Sequence, residues 1–504
     1  MDCLAAIDAG TGSGRCVVFD AAGRPLAGAQ EPLHFGIVQD PDFPMVRGFD
    51  LDPAGVWDIL ARCVRTAVAA LPADARVVGV IGTAQREGCV LLDADDAVLY
   101  AGPNLDARAV REGLELQQLM PMDRLHALTG HAPPYIFPLA RWLWFQRHRD
   151  AARAASLLML NDWIGFRLCG ARVAEHSNAA ESMLYDVTRR AWCDEILDTF
   201  AIPRRLLPPL VAAGARIGGV SAEAARVTGL PEGTAVFAGG ADTESALLGS
   251  GAWEAGVLGT VLGTTTPVQL VVGSAVLDPD GNCWTSPHVV ADRWVVESNA
   301  GDTGSAWRWL LDLLCGGDDA AAHARAEAEM ATLDDTPRPI FAHLGPAIFD
   351  LRTASPFMPA GLLFRFPLLH IDRPNRAELL RAFLENVAFA IRGNAEQIGR
   401  IVPLDGAAPM RVSGGLTRSA TLLRILAATL GTPLEVARVT DSACLGSAML
   451  AAVGAGLHPD VPAAVEAMAR FRTVEPDAAL VPQYADRYVR WRELYDTFRG
   501  WTLT

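Results

Sequence analysis

Ile7-Asp8-Ala9-Gly10-Thr11-Gly12-Ser13-Gly14-Arg15, running on through Val17-Val18-Phe19 to Asp20, decides how the chain is read. An apolar run carries a carboxylate into a turn of glycines and hydroxyls, and a second apolar run leaves it. Glycines let backbone N–H groups approach phosphate oxygens, Thr11 and Ser13 add donors, and Asp8 at the strand end can hold a metal ion directly or through water. A related unit returns at Val261-Leu262-Gly263-Thr264-Thr265-Thr266, ahead of the strand-like Val268-Gln269-Leu270-Val271-Val272. Two phosphate-gripping hairpins on one chain predict two halves closing on one nucleotide.

The second decisive feature is compositional. The 504 residues contain no lysine, so all 43 basic residues of the Lys+Arg count are arginine. A Walker A loop, a protein-kinase strand lysine and Schiff-base chemistry each need a lysine amine and are excluded. Phosphoryl transfer in this chain would rest on glycine turns, hydroxyls, arginines and a metal. A net charge of −15 argues against nucleic acid or an anionic membrane as partner. The nine cysteines are scattered without CxxC spacing, and the ten histidines show neither HxH nor HExxH, so no His- or Cys-held metal is expected. Scattered thiols, the lack of a long apolar run and the lack of an export signal point to a cytoplasmic protein.

The length predicts two to four domains, with two large α/β units favoured. Strand-like runs at Leu4 to Asp8, Cys16 to Asp20, Val77 to Ile81 and Gly88 to Leu92 flank a helical stretch, Pro53 to Leu71, that Asp52 would cap. Strands so closely spaced indicate a mixed sheet rather than strict βαβ alternation. Helices dominate from Leu105 to Gly229, and then a strand at Ala235 to Ala238 meets Gly239-Gly240-Ala241-Asp242-Thr243-Glu244. The boundary between the halves is expected near Gly249 to Ala255, giving domains 1–249 and 250–504. In the second half, Asn375 with Glu378 forms a capping box ahead of the apolar stripe Leu380, Phe383, Leu384, Val387 and Ile391. A third glycine unit, Ser413-Gly414-Gly415-Leu416-Thr417-Arg418-Ser419, precedes a helix ending near Leu430.

Chemistry can be assigned from these residues directly. Transfer of a γ-phosphoryl group needs a positioned hydroxyl, charge neutralisation and a carboxylate to take the hydroxyl proton. Asp242 at a strand end is the candidate base, Asp8 is the candidate for organising Mg²⁺, and Asp242 is named with it as a metal residue. Gly10, Thr11, Gly12, Ser13 and Arg15 would contact phosphates from one half and Gly263, Thr264 and Thr265 from the other. Gly414 and Gly415 at a helix start, with Ser419, suit the α-phosphate or adenosine. Each has a plainer alternative: a turn cap for Asp8, an Asx-turn for Asp242, hairpin and helix packing for the glycines.

Taken in order along nearly the whole chain, these motifs resemble the FGGY family of carbohydrate kinases. Further points of likeness are Pro138 to Trp144, with Arg141 where lysine is usual, Asn161-Asp162-Trp163, Tyr185-Asp186, Leu207-Pro208, and the stretch from Gly414 through Asp441-Ser442-Ala443-Cys444-Leu445-Gly446-Ser447-Ala448, similar to the family's adenosine region. The resemblance implies two actin-like, ribonuclease H-like domains with mixed sheets flanked by helices and a cleft between them. It also implies use of ATP and Mg²⁺ to phosphorylate a small sugar or polyol.

On the acceptor side Gln85-Arg86-Glu87-Gly88 follows a buried strand and could hydrogen-bond several hydroxyls. Glycerol kinases carry a similar Gln-Arg-Glu, whereas typical xylulokinases have Met-His. Arg86-Glu87-Gly88 with Asn104-Leu105-Asp106-Ala107-Arg108-Ala109 looks more like autoinducer-2 kinases, and Thr243 is similar to deoxyketose kinases. Gln85, Arg86, Glu87, Asp106, Tyr135, Asp242 and Thr243 are therefore the candidate acceptor contacts. The plainer alternatives are a surface ion pair for Arg86 and Glu87 and mutual pairing for Asp106 and Arg108, while Trp142, Trp144, Cys89 and His131 are read as packing residues. A ketopentose such as D-xylulose leads the expected substrates, with the dihydroxy-pentanedione autoinducer-2 or glycerol and tetritols as alternatives. An actin-like nucleotide switch without sugar chemistry is the rival from another class. A homodimer is compatible with all of these.

Overall fold

The computed structural model describes residues 1–39, 46–334, 339–350, 360–365, 373–406, 408–499 and 501. They form two compact units, each assembled from separate stretches of chain: Met1–Ala255 with Val271–Val295 and Asp441–Arg470, and Gly256–Leu270 with Val296–Thr440 and Phe471–Thr504.

The first unit is built on a six-stranded mixed sheet. Asp2–Ala9 lies at its middle, antiparallel to Ser13–Asp20 and parallel to Arg76–Ala84, which in turn runs parallel to Ala235–Phe237. Pro25–Pro32 and Arg216–Gly219 close the two edges. The near-continuous apolar run of Asp2–Ala9 follows from burial on both faces. On one face lie the helices Pro53–Ala69 and Leu160–Cys169, contributing Trp57, Leu60, Val64, Trp163 and Ile164 to one core. Asp52 caps the first of these helices by accepting from Ala54 N at 3.1 Å.

The second unit repeats the pattern. Leu258–Val261 is antiparallel to Thr265–Val272 and parallel to Met410–Ser413, which is parallel to Leu434–Ala437. The long helix Arg376–Gly399 starts at a complete capping box between Asn375 and Glu378. At the third glycine unit the chain differs from expectation. Gly415–Arg418 is a 3₁₀ turn, and the α-helix, Ala420–Leu430, begins later. Ser419 is the reason, because its Oγ accepts from Leu422 N at 3.0 Å and so caps the helix there. Gly414 has φ +96°, and a Cβ on it would strike the backbone of Leu262.

No helix among the described residues is long and apolar enough to cross a membrane.

Candidate active site

Three parallel strands of the first unit point their C-terminal ends the same way. Asp8 pairs in register with Thr83, Ala9 with Ala84, and Ala84 bridges to Ala241. Asp8, the segment Gln85-Arg86-Glu87 and Asp242 therefore emerge side by side, where open α/β sheets place their ligands. Asp242 opens the helix Asp242–Gly249, so its carboxylate lies at a positive helix end.

The turn that carries Asp242 is anchored at successive residues. Asn161 Nδ2 donates to Gly239 O at 2.5 Å, Thr83 Oγ1 donates to Gly240 O at 2.8 Å, and Ala241 N donates to Ser177 Oγ at 3.0 Å. A Cβ on Gly239 would collide with Gly82 O, and one on Gly240 with Val289, which is why both positions are glycine. Behind them Asp162, Glu175 and Asn178 form a fully buried polar net: Ser177 Oγ donates to Glu175 Oε2 at 2.5 Å, Glu175 N to Asp162 Oδ1 at 3.1 Å, and Asn178 Nδ2 to Asn161 Oδ1 at 2.8 Å. These bonds tie the turn to the buried net, in which Asp162 Oδ2 and Asn178 Oδ1 have no hydrogen-bond partner. Residue types gave no sign of it beyond Asn161-Asp162.

Asp8 is buried, with Oδ2 3.3 Å from Arg15 Nε, while its Oδ1 has no hydrogen-bond partner. Burial raises its pKa against the pull of Arg15. Arg15 bridges to Asp441 Oδ1 at 2.8 Å and donates to Ser13 Oγ at 3.1 Å, so it braces the hairpin from within the unit. Asp441 and the helix Ser442–Gly454 pack with the first compact unit. Asp242 is half-buried and accepts from Thr243 Oγ1 at 3.2 Å. Burial and then the Asp8 charge push its pKa up to about 7, against Arg86 and the bonds from Thr243.

Arg86 is the cation at the centre. Its Nη1 lies 3.8 Å from Glu244 Oε1 and 3.9 Å from Glu181 Oε1, and its guanidinium sits 5.7 Å from the Trp284 ring centre. Glu87 is buried with φ +57° and its carbonyl accepts from Arg141 Nη1 at 2.8 Å. Burial shifts Glu87 upward, as do the charges of Glu181 and Asp242, while Arg86 and Arg141 oppose. Burial and neighbouring carboxylates thus shift both Glu87 and Asp242 upward, and Arg86 and Arg141 oppose the shift only in part.

The other sequence candidates are distributed as follows. Gln85 is fully engaged by backbone: Nε2 donates to Gly10 O at 3.3 Å and Oε1 accepts from Asn104 N at 2.8 Å. Thr11 Oγ1 accepts from Asn104 Nδ2 at 2.9 Å, so Asn104 ties the hairpin to the acceptor segment. The Asp106 carboxylate is surrounded by Phe49 N at 2.9 Å, Tyr100 OH at 2.5 Å and Arg108 Nε at 2.8 Å, a structural node with no accessible surface. Tyr135 is half-buried against Gly113. In the second unit Gly263 N donates to Thr265 O at 3.2 Å, an echo of Gly10 N to Ser13 O at 3.1 Å, and Thr264 and Thr265 are exposed. Thr264 O accepts from the N–H groups of Thr303 and Gly304. Gly415 is exposed, while Ser419 Oγ, besides capping, donates to Glu327 at 2.8 Å.

Sequence reasoning missed Glu181, Glu244 and Ser286, and read His131 as mere packing. Glu244, two residues beyond Asp242, was the one with a local signal.

A two-unit α/β protein with mixed sheets, repeated glycine hairpins and acids at the strand ends belongs among the phosphotransferases. The chain matches the N-terminal domain of the FGGY family of carbohydrate kinases over residues 3–249 and its C-terminal domain over residues 258–455, and it belongs to that family. It is therefore a kinase acting on a carbohydrate hydroxyl, and use of ATP follows from that class. The autoinducer-2 kinase of Escherichia coli (strain K12) is 31% identical over 508 residues, spanning 99% of this chain and 94% of that protein. That of Yersinia pseudotuberculosis serotype O:3 is 30% identical over 506 residues, spanning 98% and 94%. The crystal structure of xylulose kinase from Rhodospirillum rubrum is 27% identical and superposes with a TM-score of 0.83 over 98% of both chains. Plasmodium falciparum glycerol kinase with ADP, 18% identical, shares the fold at a TM-score of 0.84, covering 100% of this chain and 99% of that one.

Proposed function

We propose that the protein transfers the γ-phosphoryl group of ATP, with Mg²⁺, to a hydroxyl of a small five-carbon keto acceptor. The observation that carries this is the convergence of Asp8, Arg86, Glu87 and Asp242 on the ends of three adjacent parallel strands. Asp242 takes the proton of the attacking hydroxyl while its oxygen bonds to the γ-phosphorus; the bond from that phosphorus to the β,γ-bridging oxygen breaks, and ADP leaves. Arg86 and a protonated Glu87 both donate, which suits carbonyl and hydroxyl oxygens of the acceptor. The glycine-hydroxyl turns around Thr11 and Gly12 in the first unit, and around Thr264 and Gly415 in the second, are of the kind that present N–H and hydroxyl donors to phosphate oxygens.

The donor set fits a magnesium ion. Asp8 Oδ1 is buried without a partner, and the Asp8 charge acts on Asp242. Mg²⁺ is bound by one or two carboxylates, with phosphate and water completing its shell, and when bound it neutralises charge on the transferring group.

A pentulose such as D-xylulose is one acceptor of this class, and the linear dihydroxy-pentanedione autoinducer-2 is the other. Likeness to autoinducer-2 kinases over 99% of the chain favours the second. ADP release should be followed with Mg-ATP against xylulose, ribulose, rhamnulose, fuculose, glycerol, erythritol and the dihydroxy-dione. One five-carbon keto compound should dominate. Preference for glycerol or erythritol, or turnover indifferent to every acceptor, would overturn the assignment.

A further inference from the structure

Behind Arg86 lies a buried cluster that the proposed chemistry does not use. Glu181 and His131 have no accessible surface, and Ser286 is buried. Glu181 Oε1 accepts from Ser286 Oγ at 3.0 Å and lies 3.3 Å from His131 Nε2, which is itself 3.1 Å from Ser286 Oγ. His131 Nδ1 is 2.8 Å from Thr129 O. A carbonyl can only accept, so Nδ1 carries a hydrogen. Nε2 lies within reach of both Glu181 Oε1 and Ser286 Oγ. The ring is wedged between Phe137 and Trp284, with centres 5.4 and 5.3 Å away, and Trp284 Nε1 donates to Ala132 O at 2.7 Å. The same indole faces the Arg86 guanidinium.

The cluster thus has a fixed back wall, and on its open side lie the Arg86 guanidinium and the Glu87 carboxyl, which feels the Glu181 charge. Glu181 Oε1 faces Arg86 Nη1 at 3.9 Å, too long for a hydrogen bond but close for two charges of low exposure. Its other oxygen, Oε2, is buried and has no partner. A fully buried carboxylate half-satisfied in this way is costly as pure structure. Its effect is to hold a positive group at one place.

We propose that Glu181, oriented by His131 and Ser286, is a positioning residue that sets the Arg86 guanidinium toward the acceptor and so determines which acceptor oxygens it can reach. This rests on the reading above that Arg86 contacts the acceptor. Glu181 acts through Arg86 and touches no substrate.

The test is a double-mutant cycle on the full-length enzyme with its preferred acceptor, using Glu181→Gln, Arg86→Gln and the pair. Glu181→Gln should raise the acceptor KM about tenfold, with kcat changed less than about threefold and the ATP KM unchanged. Arg86→Gln should raise the acceptor KM further, and the double variant should be no worse than Arg86→Gln alone. Additive effects, or equal rises in the KM of acceptor and ATP, would overturn the proposal while leaving the kinase assignment standing. An unchanged acceptor KM in Arg86→Gln would overturn the Arg86 contact, and this proposal with it. Ser286→Ala, which removes one hydroxyl, provides a second cycle should Glu181→Gln not fold; about a threefold rise in acceptor KM that vanishes in the Arg86→Gln background supports the same conclusion, and its persistence refutes it.

Discussion

Asp242 is subject to opposing influences, and their balance has a measurable consequence. Burial and the neighbouring Asp8 charge raise its pKa to about 7, while Arg86 and Thr243 pull it down. A general base must be deprotonated to act, so acceptor kcat/KM should fall as pH drops through about 7. Asp242→Asn should lower kcat about a hundredfold or more and leave ATP affinity within about twofold, because the amide keeps the shape but cannot take the proton. A pH profile flat from 6 to 8, or full turnover in the variant, would remove Asp242 from this role. At this scale Asp8 and Asp242 were legible because each ends an apolar run beside glycines. Glu181 was not, because a lone glutamate in Ala180-Glu181-Ser182 has no pattern, and only the fold brings it to within 3.9 Å of Arg86, 95 positions earlier in the sequence.

The helix that begins at Asp242 is located by what crosses it. Helix Asp242–Gly249 meets helix Ser442–Gly454 so closely that a Cβ on Gly446 would fall on Ser245 O, and a Cβ on Gly249 on Ser442 O. Two glycines from distant segments remove the side chains that would hold the helices apart. Gly446→Ala must push the helix that carries Asp242 away. It should cost about 1–3 kcal/mol of stability, read as a lower Tm. It should also lower kcat by more than the lost stability explains, since about 1 Å of displacement matters at a reacting centre. Gly273→Ala, where nothing lies within 4 Å of the added carbon, is the control and should stay within about 0.5 kcal/mol of the parent. Undisturbed kcat in Gly446→Ala would mean that this crossing does not set the position of Asp242. Both glycines were visible in the sequence, but their pairing was not, because it joins positions 197 apart with no shared period.

At the scale of the whole molecule, the echo between two glycine hairpins was legible and the structure deepens it. In both units the hairpin's first strand has an antiparallel partner on one side and a parallel strand on the other. Less legible was that residues 271–295 and 441–470 return to the first unit, since reading runs of pattern along a chain cannot show where it folds back. The total absence of lysine gives the remaining prediction. The sequence holds no lysine amine, and Met1 N donates to Asp74 O at 2.6 Å. Met1 precedes Asp2–Ala9, and Asp74 precedes the parallel strand Arg76–Ala84. The amine therefore sits at the opposite end of the sheet from Asp8 and Arg86, about 20 Å away at roughly 3.3 Å per residue. Exhaustive acylation with an N-hydroxysuccinimide ester should leave kcat/KM for both substrates within about twofold, whereas kinases that grip phosphates with a lysine lose activity under the same treatment. Retained activity would show that arginine, backbone N–H groups and hydroxyls suffice to hold the transferring phosphoryl group here. Inactivation would mean that an amine takes part in the chemistry and would refute that reading.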